Sequence, residues 1–179
     1  MGPALDLAIL ERARDVIDLR SFSNLWYWIV LAVFWSSASH WGLGVPFDLV
    51  VRARRGHAQS AHDMQVLAEV NASRILSLAG TSGLSVTGVA AFVLTGLAML
   101  GWLYGSEFCQ AVFLLALPMV LIGLWTLRTA RRLDAAKFAD VAGALRRHRL
   151  GVQVLGVVFI FVTALWGMYV NVTVDPLAR

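Results

Sequence analysis

The stretch LSVTGVAAFVLTGLAMLGWLY, residues 84–104, contains no charged side chain. About 20 such residues wound as an α-helix cross the ~30 Å hydrocarbon core of a bilayer. Other regular structures fit poorly, because lipid offers no partner for an open backbone amide and a barrel strand needs only about ten residues. Working outward, the same reading fits residues 25–45, 108–127 and 152–172. Composition agrees: 59% of the 179 residues are hydrophobic and 15% are charged, where a soluble domain carries roughly 25% charged. The sequence therefore predicts a single all-α integral membrane domain of four transmembrane helices in a compact bundle. Loops over 46–83 and 128–151 and a tail over 1–23 complete it.

Lysine and arginine sort by segment, and that sorting predicts orientation. Arg52, Arg54, Arg55 and Arg74 lie in the first loop; Arg128, Arg131, Arg132, Lys137, Arg146, Arg147 and Arg149 lie in the second. The tail, the turn between the second and third spans, and the C-terminus hold only Arg12, Arg14, Arg20 and Arg179. Both loops are thus expected in the cytoplasm and both termini outside, in a multi-pass membrane protein. The net charge of +4 is mostly this topology signal, so nucleic acid is not expected as a partner. The basic inner face is expected to meet the anionic inner leaflet. In the tail, Leu5, Ile9, Ala13, Val16 and Ile17 share one helical face, with Asp6, Glu11, Arg14, Asp15 and Asp18 largely opposite. This predicts an amphipathic helix at the interface or against protein. The four acids of the tail also argue against a signal peptide. A further helix is expected over 59–77, broken at Gly80 and Gly83.

Ionisable residues within the spans are few, and His40 is the clearest. It sits in WSSASHW, residues 35–41, where three hydroxyls surround a titratable imidazole. An imidazole there could ligate haem iron or move a proton; it could equally hydrogen-bond a neighbouring helix or a headgroup. His148, His57 and His62 also fall on the predicted inner side, but no histidine pair has an i,i+3 or i,i+4 spacing. Glu107 follows a tight outer turn, where it could receive an ion or cap its own helix. The lone Cys109 has no activating neighbour in sequence. No nucleophile elbow, phosphate loop or catalytic acid pair is visible, so neither an enzyme nor a particular cofactor is expected.

Packing signals are plainer. Thr87, Ala91 and Thr95 recur at i+4, and Gly101 with Gly105 makes a G-x-x-x-G; small residues so spaced let helix backbones approach, within one chain or between chains. Pro118 is expected to kink the third span. Gln153 and Asn171 are candidates for hydrogen bonds across helices.

The segments RSFSNLWYW (20–28), ASHW (38–41), GVPFD (44–48), RARR (52–55) and FCQAVFLLA (108–116) resemble an uncharacterised bacterial inner-membrane family. Some of its members carry the label of a component of the Suf-type iron–sulfur cluster assembly complex. A cluster takes several thiolates and this chain has one cysteine, so the resemblance implies docking at the membrane and not cluster carriage. Three functions follow as expectations. The first is a structural or accessory subunit of a larger membrane complex, with a membrane-protein partner or a second copy. The others are a haem- or quinone-binding redox subunit centred on His40, and a small channel or carrier.

Overall fold

The computed structural model describes Phe22 and residues 25–173, with residues 39–42 described by backbone alone. The expected amphipathic helix of the tail lies outside the described residues. Helix α1 (Leu25–His40) leads through a two-stranded antiparallel hairpin, β1 (Trp41–Gly42) and β2 (Val45–Pro46), into short α2 (Phe47–Arg54). Then come α3 (Ala58–Ala98), continued by one π-helical turn (Met99–Leu103), α4 (Glu107–Ala135) and α5 (Val141–Thr173). Three helices are long and apolar enough to cross a membrane, Ala58–Leu103, Glu107–Ala135 and Val141–Thr173, which fits a transmembrane protein.

Three boundaries differ from the sequence reading, each for a local reason. The first predicted span ran to residue 45, but α1 stops at His40 and its 16 residues reach only about 24 Å. The chain turns there because Leu43 and Gly44 both take positive φ, 52° and 71°, as the two central residues of a tight hairpin turn do. A leucine in that conformation costs about 1–2 kcal/mol, offset by burial of its side chain to 2% exposure. Gly44 is required twice over, since a Cβ there would lie 2.8 Å from the Asn71 amide. Second, the expected break at Gly80 and Gly83 does not occur, and α3 is continuous through both. A glycine costs a helix about 1 kcal/mol, less than leaving backbone groups unbonded at the edge of lipid. Third, the segment 128–151, read as a cytoplasmic extension of the third helix, is helical but divided between two helices by a turn at 136–140. Helix α4 ends in a Schellman turn, with Phe138 N donating to Leu133 O (2.9 Å) and Lys137 N to Asp134 O (2.9 Å). Asp140 then caps α5 by accepting the Gly143 N–H at 2.9 Å.

Packing is unequal along the molecule. At the arginine-rich end, the hairpin, α2, the first half of α3, the end of α4 and the start of α5 enclose an apolar core of Leu43, Val50, Met64, Ala68, Leu133 and Leu145. Towards the other end, α1 packs on α4 and α5 through Leu31, Trp35 and Val152, and through Phe22, Tyr27, Ala111 and Leu114. Helix α5 is the spine of both regions, burying Val141, Leu145, His148, Val152, Gly156, Thr163 and Gly167 in one stripe of three-, four- and seven-residue steps. Trp35 lies so close on Gly156 that a Cβ would stand 2.8 Å from its ring. The apolar half of α3, by contrast, buries none of its residues.

Candidate functional site

The structure scatters the residues singled out from sequence. His40 ends α1 beside the hairpin; its side chain lies outside the described atoms. His57 and His62 are exposed on the first turns of α3, and His57 Nδ1 lies 3.2 Å from Arg52 O. His148 is buried on α5. Among the described residues, no group of three or more His, Cys, Asp or Glu side chains could hold a metal ion.

Thr87, Ala91 and Thr95 all face outward from the chain. Thr87 turns its hydroxyl back to Gly83 O at 2.7 Å, which leaves an apolar methyl on the surface. Angular bookkeeping at 100° per residue puts Gly80, Leu84, Thr87, Gly88, Ala91 and Thr95 within an arc of about 100°. All six are exposed, and Cβ atoms built on Gly80 and Gly88 would meet nothing within 4 Å. The two halves of the G-x-x-x-G separate. Gly101 is buried where a Cβ would stand 3.0–3.1 Å from Gln110, so it sets the α3–α4 approach; Gly105 serves the turn, at φ +68°. Pro118 is fully buried inside α4.

Gln110 makes cross-helix hydrogen bonds of the kind for which Gln153 was a candidate. It is buried, donates Nε2–H to Gly101 O at 2.7 Å, and accepts Trp166 Nε1–H at 2.9 Å, tying the π-helical turn to α4 and α5. A π turn displaces carbonyls from the α ladder, and the amide satisfies one of them. The sequence signal was a glutamine two residues into an apolar run, opposite a tryptophan on the last span. Gln153 is exposed. Glu107 accepts Phe22 N–H at 2.7 Å and so pins the approach to α1 onto the start of α4, while Ser106 caps α4 through Cys109 N. No known family, curated protein or solved structure matches this chain.

The nine arginines named as the basic face gather at one end, on α2, the end of α4 and the start of α5. Arg52 pairs with Asp48 one turn away; Arg54, Arg55, Arg128, Arg131, Arg132, Arg146 and Arg147 are exposed. Arg149 is half-buried, its guanidinium carbon 3.6 Å from the centre of the Phe47 ring, which clamps α2 onto α5. Between the end of α4 and the start of α5 lies a cavity of about 270 Å³ whose lining includes Trp125, Thr129, Arg132, Asp140, Arg147 and His148. Thr129 Oγ donates to Trp125 O at 2.9 Å, so its oxygen accepts from His148 Nδ1 at 3.2 Å and fixes the proton on that nitrogen.

Proposed function

We propose that this chain is an accessory subunit of a bacterial inner-membrane complex, held to its partner by the outward stripe of α3. One observation carries the reading: α3 gathers Gly80, Thr87, Gly88, Ala91 and Thr95, with Leu84, on one exposed arc of about 100°, while Val86, Val89, Phe92 and Val93 cover its other exposed sides. Lipid rewards no such choice, since each glycine weakens the helix by about 1 kcal/mol and buries nothing against acyl chains. A second helix does reward it, because small residues admit backbone-to-backbone approach.

In this proposal α1 is the fourth span. Its exposed residues Leu25, Trp26, Ile29, Val30 and Val33 are apolar, as a lipid-facing surface is, and its length suits a locally thinned bilayer. The tail helix lies on the outer interface, both termini are outside, and the arginine-rich end with its closed core is cytoplasmic and touches anionic lipid. The test is photo-crosslinking in the native membrane from a reactive side chain at Ala91, with Phe161 on the free face of α5 as reference. Protein adducts from Ala91 and lipid adducts alone from Phe161 are expected; lipid adducts alone from both would refute the assignment.

A further inference from the structure

We infer that the cavity between the end of α4 and the start of α5 is a binding site for a phosphate group carried on an amphiphile. This inference is independent of what docks on α3. Trp125, Leu133, Ala136 and Ala144 give the cavity a mostly apolar lining, to which Arg132 from α4 and Arg147 from α5, both exposed, contribute from two helices. A volume of about 270 Å³ corresponds to roughly nine waters at ~30 Å³ each, room for a phosphate together with part of what it esterifies.

The charges at the site leave it positive. Arg132 forms no ion pair among the described residues. Arg147 reaches Asp140 Oδ2 at only 3.5 Å with both side chains largely exposed, a pair of the weak kind that solvent screens. Asp140 lines the cavity as well as capping α5 through Gly143 N–H, so two guanidinium charges stand there against one carboxylate. A phosphate between the helices would draw both guanidinium forks inward, where planar paired donors match its oxygens. Buried His148, 2% exposed, lines the same cavity with its Nδ1–H already given to Thr129, so the ring is held rigidly at the wall.

Position in the chain selects an amphiphile. The uncharged run of α4 ends at Leu127 and that of α5 begins at Leu150, so the cavity straddles the level where apolar helix gives way to arginine. Trp125 marks that boundary, as tryptophan does at bilayer surfaces. A phospholipid phosphate lies at the same depth, and its glycerol and first methylenes would meet the apolar lining.

The experiment is a titration of the full-length protein in neutral detergent, read as a saturable rise in unfolding temperature. The probes are phosphatidylglycerol, phosphatidylcholine and inorganic phosphate. Two double variants remove equal charge: Arg132→Gln with Arg147→Gln inside the cavity, and Arg131→Gln with Arg146→Gln on the exposed face beside it. Phosphatidylglycerol is expected to stabilise the wild type, with apparent affinity about tenfold or more weaker in the cavity variant and changed less than about threefold in the surface variant. Protection by inorganic phosphate at comparable concentration would overturn the amphiphile as the carrier of the phosphate and leave free phosphate as its source. Protection by the phospholipid alone upholds the inference and names the headgroup. Equal loss in the two variants would reduce the effect to general surface charge and overturn the inference, as would protection by none of the probes.

Discussion

One half of α3 is packed and the other half is bare. Near its start, Met64, Ala68 and Ala72 follow one another at four-residue steps and are buried to 7%, 0% and 0% exposure against the hairpin, α2 and α4. In its apolar half no residue is buried, and Leu84 is 90% exposed. The more hydrophobic half is therefore the less buried one. In water, removing apolar surface is worth about 25 cal/mol per Å², which closes the arginine-rich end into a small core. In lipid that gain vanishes, and helices associate through close fit and hydrogen bonds. Where α3 does meet its own chain in the apolar region, it uses such devices: Gly101 against Gln110, and the Gln110 amide on the π turn.

If the two halves obey different solvents, equal truncations should have unequal costs. Leu145→Ala, in the closed core at 2% exposure, is expected to lose about 2–5 kcal/mol, and Leu84→Ala less than about 0.5 kcal/mol, measured by reversible unfolding in mixed micelles. Similar losses at both sites would abolish the distinction. Glycines sharpen it next. Gly156→Ala drives a methyl into the Trp35 ring and should cost about 1–3 kcal/mol, whereas Gly88→Ala, with open space around it, should be neutral or gain up to about 1 kcal/mol in the isolated protein. A smaller effect is expected at the polar tie. Gln110→Leu removes the bonds to Gly101 O and Trp166 Nε1 and should cost about 1 kcal/mol, with a shift in tryptophan emission and faster amide exchange over residues 99–103.

These contrasts also explain what could be read in advance. The apolar extents of α4 and α5 were legible because an uncharged run of that length admits one structure. The continuity of α3 was not, since Gly80 and Gly83 are helix breakers in water and tolerable where unbonded amides cost more. The hairpin at 41–46 was hidden because its first central residue is Leu43, a type that rarely takes positive φ unless burial compels it. The small-residue pattern at Thr87, Ala91 and Thr95 was legible as a packing surface, but sequence alone left open which side it faced. Gln110 was overlooked because its role depends on a π turn and on Trp166, 56 residues away.

On the proposal made above, the small-residue arc of α3 is a docking surface. Gly88→Leu tests it most directly, because a Cβ at this position meets nothing within 4 Å in the chain itself and leucine improves helix propensity. The measurement is quantitative mass spectrometry of whatever remains with the tagged wild type and the tagged variant after mild-detergent extraction from the native membrane. The account predicts a stoichiometric partner with the wild type and its loss from the variant at unchanged unfolding temperature. Wild-type protein that extracts alone, or a partner kept equally by the variant, would contradict it.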